Sequence, residues 1–361
     1  MSAITVAVLR GPKAPEATDP DTLLWRAFID MRNACTTAFW NGDRTHEFTH
    51  QEAFATWSNQ HDEKLLLIAA LDGDQVVGGA VVTLGITEQT SAASVEVSVL
   101  PEHRRRGVAT ALATAIETIV RSEHRTLLQA WVDHAAGSGE QLESPTGFGS
   151  IPASNPEVAF LQKHGFALEQ IERMSSLNPV TAEPSLEAHL AEAIAASSPR
   201  YAVQTWSGST PSEHLAGLAA LHARMVTDAP SAGLEFDEEE WDPARVERYE
   251  NAQIAGGRLP LRSVAIDTQT GDIVAFSTIV IPELRTRPSY QHDTLVHADH
   301  RGARLGLLVK TANLLALRTL APECSQVLTW NAEENRPMLR VNEALGFEAI
   351  GYEGAWQRRL Q

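Results

Sequence analysis

The chain has 361 residues, of which 43% are hydrophobic and 21% charged, so it is long enough for two domains with cores of ordinary size. No apolar run approaches the roughly 18 residues that a bilayer span requires. The first ten residues lack the basic start of a signal peptide and are predicted to form a strand. The net charge of −17 disfavours nucleic acid and anionic membranes as partners and mildly favours cationic ones.

The only two cysteines, Cys35 and Cys324, have no metal-type spacing. We expect two reduced thiols in a cytoplasmic protein. His297 and His300 bracket Asp299, but the neighbouring sequence offers no further ligands, so no metal site is expected.

Each half of the chain is predicted to contain the same series of elements. A hairpin is followed by a strand, a short loop, an amphipathic helix, a further strand and a last helix ending at a Gly-Phe pair. In the first half the hairpin strands are 65–71 and 76–84, the next strand 94–100, the helix starts at 108, and the last strand is 127–132. In the second half these elements are 263–266, 273–281, 292–297, a helix from 305, and 326–330. The final pairs are Gly165-Phe166 and Gly346-Phe347.

Spacing within the two series is also the same. In both, an acidic residue on a strand precedes an arginine by 8 residues and a small residue by 13. The members of this pattern are Glu96, Arg104 and Ala109 in the first half, and Asp293, Arg301 and Gly306 in the second. We interpret this as an internal duplication. It predicts an N-terminal domain at 1–178, a linker at 179–200 that contains a connecting helix at 185–196, and a C-terminal domain at 201–361.

The halves differ in one insertion. The first is 16 residues longer between its amphipathic helix and its final glycine, near 135–153, where Gly, Ser and Pro predict a loop. Such a loop either covers a site or is peripheral, and the sequence does not distinguish the two.

The loop before the first helix, Arg104-Arg105-Arg106-Gly107-Val108-Ala109, resembles the (Q/R)-x-x-G-x-(G/A) loop of the GNAT superfamily of acyl-CoA-dependent N-acyltransferases. The second loop keeps Arg301 and Gly306 but has Arg304 where the family has glycine. The second half also ends with a segment, 335–347, similar to the family's N-x-x-A-x-x-x-Y-x-x-x-G-F pattern. The first half has Ser154 at the asparagine place, with Asn155 next to it. The duplicated layout resembles that of mycothiol synthase.

This resemblance implies an α/β fold of two tandem GNAT-like domains, each a mixed, mostly antiparallel sheet flanked by helices. It also implies acetyl-CoA as acyl donor, with its pyrophosphate on backbone N–H groups at a helix N-terminus. The residues assigned to this binding by resemblance are Val99, Arg104, Arg105, Arg106, Gly107, Val108 and Ala109 in the first half, and Val296, Arg301, Gly302, Ala303, Arg304, Leu305, Gly306 and Asn335 in the second.

Acetyl transfer to an amine requires a base, and many relatives have an acid on the strand beside the cofactor. By this resemblance Glu96, and after it Asp293, are the candidate general bases. The alternative is a solvated carboxylate or an ion pair with a loop arginine. The family's tyrosine, a common proton donor, is replaced by Leu161 and Asn342. The nearby phenols are Tyr290 and Tyr352, and without a donor the thiolate leaves and takes its proton from water.

The predicted function is transfer of an acetyl group from acetyl-CoA to a primary amine, of a small molecule, by a monomer or homodimer, with the first half favoured as catalytic. Two alternatives remain open: a non-catalytic acyl-CoA-binding protein, and an acetyltransferase for protein N-termini or lysines. The acidic stretch 235–240 either starts a helix or attracts a cationic amine.

Overall fold

The computed structural model describes residues 4–135 and 137–360 and divides the chain into two compact units. The first unit comprises Met1–Gln141, Pro152–Glu169 and Gly354–Gln361. The second comprises Leu142–Ile151 and Gln170–Glu353. The first three residues of the predicted N-terminal strand lie outside the described part of the chain.

The structure describes strands in both units. They are β1 (Thr5–Val8), β2 (Glu63–Asp72), β3 (Gln75–Gly85), β4 (Ala92–Val99), β5 (Leu127–Ala135), β6 (Gln141–Glu143), β7 (Ser150–Pro152), β8 (Ala167–Leu177), β9 (Tyr201–Ser207), β10 (Leu259–Asp267), β11 (Ile273–Ile281), β12 (Ser289–Val296), β13 (Val327–Ala332) and β14 (Glu348–Arg359).

Helices follow the predicted order. They are α1 (Pro20–Phe39), α2 (His50–Ser58), α3 (Val108–Ser122), α4 (Pro156–Lys163), α5 (Pro179–Ser197), α6 (Ser212–Ala223), α7 (Met225–Asp228), α8 (Pro243–Ala255), α9 (Leu305–Leu320) and α10 (Arg336–Leu345). None of the described helices is long and apolar enough to span a membrane.

The sheet of the first unit has the strand order β1-β2-β3-β4-β5-β14. Pairs from β1 to β4 are antiparallel, and β4 and β5 are parallel. The last position is taken by the C-terminal end of the chain, where Leu360 N donates to Thr126 O at 2.8 Å. This is the predicted mixed, mostly antiparallel sheet.

The sheet of the second unit has the order β8-β13-β12-β11-β10-β9. Here β12 and β13 are parallel and the other described pairs are antiparallel. Its outer strand β8 comes from the middle of the chain and pairs with β13 from Val327↔Leu177 to Ala332↔Glu172.

The units therefore differ from the contiguous ranges 1–178 and 201–361 that the duplication predicts. In each sheet the strand beyond the parallel pair comes from a distant part of the chain. The physical reason is that the outer N–H and C=O groups of β5 and β13 need a partner strand, and any strand of suitable register can supply it. The spacing of residues in the sequence does not indicate which strand becomes this partner.

The segment predicted as a linker is largely helix α5. Asn178 caps it by accepting hydrogen bonds from the N–H groups of Val180 and Thr181, and Pro179 occupies the first helical position, where proline is favoured. Leu186 and Ala193 are fully buried in the core of the second unit. The predicted connecting helix thus packs as part of that unit.

Adjacent glycines on β3 let helices approach both faces of the first sheet. A Cβ atom on Gly78 would lie 2.8 Å from Val108 Cγ1 on α3, and one on Gly79 would lie 2.3 Å from Phe28 Cε2 on α1. Both distances are shorter than van der Waals contact, so the close packing of α1 and α3 requires glycine at these two positions.

We predict that Gly79→Ala destabilises the protein by about 1–3 kcal/mol, because the added methyl overpacks the contact with Phe28. Gly217→Ala on α6 is the control, since its Cβ would meet Ile273 at an ordinary 3.4 Å and alanine favours a helix. Urea unfolding of both variants checks this, and equal stability of the Gly79 variant and the unmodified chain would contradict the packing argument.

Candidate functional site

The loop between β4 and α3 is shaped by two residues in the left-handed region. Arg105 has φ +62° and Gly107, the residue before α3, has φ +86°. No side chain caps the helix, so the first-turn N–H groups remain open to an anion. The opposite side of α3 is fixed to the sheet by its buried residues, Val108, Leu112, Ile116 and Val120.

The loop before α9 repeats this backbone. Gly302 has φ +90° and Arg304, which precedes the helix, has φ +56°. Arg104 and Arg301 also share one conformation, with φ −65° and −67°. The duplication therefore extends to the backbone angles. Glycine adopts this left-handed conformation freely, whereas for Arg304 it costs roughly 1–2 kcal/mol.

Charges in the first loop are largely unneutralised. Arg104 lies 3.7 Å from Glu157 and donates its Nε–H to Val99 O. Arg105 and Arg106 are exposed and form no ion pair with any described residue. Two free guanidinium groups next to an uncapped helix N-terminus are suited to a di- or triphosphate-like anion.

In the second loop both cations are paired. Arg301 contacts Asp228 at 2.9 Å, and Arg304 forms an ion pair with Glu192 of α5. Their carboxylates compete with an incoming phosphate, so this loop is the weaker anion site of the two.

Both parallel strand pairs separate soon after they begin. Pairing of β4 with β5 ends at Ser94↔Gln129, and that of β12 with β13 ends at Tyr290↔Leu328. Beyond these points β4 and β12 continue to the loop and the helix N-terminus without a parallel neighbour. The opened edge offers main-chain N–H and C=O groups to an extended ligand.

Residues 25–137, which include β4, the first loop and α3, match the model of the acetyltransferase (GNAT) family. These residues form a GNAT acetyltransferase domain. The family match supports acetyl transfer as the general activity, and the family's acyl donor is acetyl-CoA.

Solved structures extend the likeness to the whole chain. A tandem GNAT protein from the clavulanic acid biosynthesis pathway is 23% identical, with 98% of each chain covered and a TM-score of 0.71. A GCN5-related N-acetyltransferase from Sphaerobacter thermophilus is 14% identical over 98% of this chain and 95% of that one, with a TM-score of 0.58. No curated protein matches the chain. At these identities the structures show the fold, which is that of two tandem GNAT domains.

In the acetyltransferase domain, Glu96 lies just past the point where β4 and β5 separate. It is opposite Val81 on β3, on the sheet face covered by α1. Its carboxylate pairs with the guanidinium of Arg32 on α1, and the two side chains are 57% and 32% exposed. The partner is thus a helix arginine rather than the loop arginine considered from sequence. Glu96 as general base remains a prediction.

Asp293, the equivalent acid of the second unit, sits in a β-bulge. Between Ser277 and Ile279 of β11 the register of β12 shifts by one residue, which displaces Asp293 from a regular position. Loss of solvation raises the pKa of this carboxyl, with a smaller opposing effect of Arg262. Asp293 as a base also remains a prediction.

Asp293 lies beside His222, whose Nδ1 is 3.7 Å from a carboxylate oxygen. Burial, with smaller contributions from Arg262 and Arg245, lowers the pKa of His222 to about 3. Its ring is therefore neutral at pH 7 and stacks on Trp241 with ring centres 4.5 Å apart. The contact with Asp293 is consequently not an ion pair at neutral pH.

Neither unit has a proton donor at the family's tyrosine place. Leu161 is buried, and Asn342 donates from Nδ2 to Asn331 Oδ1 at 2.6 Å. Tyr290 lies on β12 and stacks on Trp330, with ring centres 6.2 Å apart and planes 11° from parallel.

One phenol near a candidate base was missed from sequence. Tyr249 lies on α8, and burial together with the charge of Asp293 raises its pKa to about 12. No motif marks Tyr249, since its approach to Asp293 depends on how α8 packs on the sheet.

An asparagine precedes the last helix of both units. Asn335 caps α10 by accepting from Met338 N at 3.4 Å. The residue before α4 is Asn155, next to the Ser154 that counting back from Gly165 reaches. Asn155 Nδ2 lies 3.1 Å from the Nδ1 atom of His134.

Among the described residues there is no group of His, Cys, Asp or Glu that could hold a metal ion. The histidines singled out from sequence have local partners instead. His300 Nδ1 is 3.0 Å from the hydroxyl of Tyr201, and His297 Nδ1 accepts from Asp299 N at 3.3 Å.

We predict that Gly107→Val weakens CoA binding by about 10-fold or more, because a β-branched residue at φ +86° is strained by roughly 1–3 kcal/mol. The added side chain itself meets nothing within 4 Å, so the effect is conformational. Gly208→Val is the matched control, with φ +83° and equally open surroundings away from both loops. Calorimetric titration of the full chain with CoA measures this, and equal affinity in the two variants would exclude the first loop as the site.

A second prediction concerns pH and His222. Since its folded pKa of about 3 is below the ordinary 6.5, the unfolded chain takes up a proton below pH 6.5 that the folded protein does not. The stability of the protein therefore falls as pH decreases from 6.5 towards 3. His222→Phe should lose less stability than the unmodified chain between pH 7 and pH 4, as measured by urea unfolding. His61→Phe, at a side chain that is 65% exposed, is the control, and parallel losses in all three proteins would contradict the assignment.

Proposed function

We propose that the protein transfers the acetyl group of acetyl-CoA to the primary amine of a small molecule, and that the reaction takes place in the first unit. The observation that carries this proposal is the combination of an uncapped α3 N-terminus, two unpaired arginines and a carboxylate at the opening of β4 and β5. The equivalent loop of the second unit has both of its cations neutralised.

Binding of the donor is assigned to the first loop. The N–H groups of Gly107, Val108 and Ala109 would hold the pyrophosphate, and Arg105 and Arg106 would neutralise phosphate charge. The opened edge of β4 as far as Val99 would pair with the extended arm. Acetyl-CoA supplies an activated thioester when bound, and these residues orient it.

Glu96 is assigned the proton transfer. An ammonium must lose a proton before its nitrogen can bond to the acetyl carbon, and a carboxylate at hydrogen-bonding distance can accept it, directly or through water. As the C–N bond forms the C–S bond breaks, and the amide and a thiol result with net release of one proton. With Leu161 at the tyrosine place, the thiolate takes its proton from water.

A small acceptor is favoured by the surroundings of Glu96. Helix α1 covers the face of β4 that carries this carboxylate, and Arg32 of α1 contacts it. The net charge of −17 draws cationic amines towards the protein. Because Arg32 already occupies one oxygen of this carboxylate, we assign a small amine rather than an extended polypeptide as the acceptor.

We predict that Glu96→Gln lowers the rate of amine acetylation by about 10²-fold or more at neutral pH, since it removes the base but not the donor site. The affinity for CoA should stay unchanged in calorimetry. Glu16→Gln, at an exposed carboxylate of the same unit, is the control, and Asp293→Asn tests the second unit in the same assay.

The measurement is thiol release from acetyl-CoA with a panel of amines. An undiminished rate in Glu96→Gln excludes Glu96 as the base, and a large loss in Asp293→Asn alone places the reaction in the second unit. CoA binding without transfer to any amine would identify a non-catalytic binding protein and overturn the proposal.

A further inference from the structure

We infer that the acceptor carries a carboxylate beside its amine, as an α-amino acid does, and that Arg32 holds this carboxylate while Glu96 takes the amine. The inference rests on the proposed function, in which Glu96 accepts the proton of the acceptor. Arg32 would therefore determine which class of substrate binds.

Arg32 is held in place by its helix. Helix α1 is anchored by the buried side chains of Trp25, Phe28 and Met31, of which Met31 directly precedes Arg32. The helix start is capped by Asp19, which accepts from Thr22 N at 3.3 Å. Because the helix backbone is fixed, the guanidinium of Arg32 reaches Glu96 from a defined direction. The Arg32 side chain is 32% exposed.

The ion pair leaves most of its hydrogen-bonding capacity unused. Arg32 binds Glu96 through Nη2 and Oε2, and no other partner of either side chain is found among the described residues. The Nε and Nη1 donors of Arg32 and the Oε1 acceptor of Glu96 are therefore available. A guanidinium with free donors can bind a second carboxylate, and a carboxylate with a free oxygen can bind an ammonium.

Position distinguishes this pair from an ordinary surface ion pair. An exposed pair stabilises a protein by only about 0–1 kcal/mol, so folding alone gives little reason for it. Glu96 lies two residues past the last β4–β5 pair, Ser94↔Gln129, where the opened edge begins. The pair thus stands at the place where the proposed acceptor must bind.

The unused donors and acceptor of the pair select the acceptor. A simple amine that binds Oε1 of Glu96 leaves the Nε and Nη1 donors of Arg32 without a partner. An α-amino acid offers an ammonium to Glu96 and a carboxylate to Arg32, so both charges keep a partner. The two adjacent charges of an amino acid are therefore complementary to the two adjacent charges of Glu96 and Arg32.

The same face of the sheet carries an aromatic residue on the neighbouring strand. Since Ser94 is level with Gln129, the alternation of side chains places Glu96 and Trp131 on one face. Trp131 is half-buried there. Diamines, which carry a second ammonium in place of the carboxylate, are the competing class of acceptor.

The test compares matched acceptors with the full-length enzyme and acetyl-CoA. Each of several amino acids is assayed beside its decarboxylated amine, its methyl ester and a diamine of similar length, with thiol release as readout. We expect kcat/KM for the amino acid to exceed that for the decarboxylated amine by about 10-fold or more, the effect of a charge-assisted contact. Arg32→Gln should bring this ratio close to one, and Arg32→Lys should restore part of it.

Arg10→Gln provides the control, because Arg10 is an 85% exposed arginine of the same unit and should keep the ratio unchanged. Equal or better use of decarboxylated amines or diamines by the unmodified enzyme overturns this inference but leaves the proposed function intact. A uniform loss for all acceptors in Arg32→Gln also overturns it, since a merely structural role predicts that result. Absence of transfer to every acceptor overturns the proposed function and this inference with it.

Discussion

The structure depends on one local arrangement, a helix whose first-turn N–H groups are presented without a capping side chain. In both units the residue before the helix has a positive φ, Gly107 at +86° and Arg304 at +56°. This angle turns the chain sharply from the strand into the helix and leaves the positive end of the helix dipole facing outwards. The parallel strands separate beside it, which opens the sheet edge next to the helix start.

The two units share this backbone but differ in the charges around it. Arg105 and Arg106 are free in the first loop, whereas Arg301 and Arg304 in the second are paired with carboxylates. The acids on the neighbouring strands differ in the same way: Glu96 faces the cationic Arg32, and Asp293 faces a neutral His222. A duplicated fold therefore presents two electrostatically distinct sites, and only the first keeps free cations for a phosphate.

Local parts of this arrangement were predictable from sequence. The spacing from Glu96 to Ala109, and its repeat in the second half, located the strand, loop and helix because these elements are set by residues close together in the chain. The left-handed terminators Gly165 and Gly346 were predictable for the same reason, and they have φ +78° and +93°.

Long-range parts were not predictable. The pairing of Arg32 with Glu96 depends on how α1 crosses the sheet, and the approach of Tyr249 to Asp293 depends on the packing of α8. The exchange of β8 and β14 between the predicted contiguous domains has the same origin, because sheet pairing is decided by register and edge availability. Counting back from Gly165 reaches Ser154 rather than the N-cap residue Asn155, because the stretch from that residue to the final glycine is one residue shorter than from Asn335 to Gly346.

Helix α5 neutralises one of the two arginines of the second loop. Proline and serine residues around 179–200 predicted a linker, yet α5 packs on α9 through Leu186 and Ala193. Two carboxylates of α5 reach arginines of α9 and its loop, Glu183 to Arg318 at 3.1 Å and Glu192 to Arg304. The arginine that departs from the family's glycine thus has a partner on α5. Arg304 as a phosphate ligand remains a prediction.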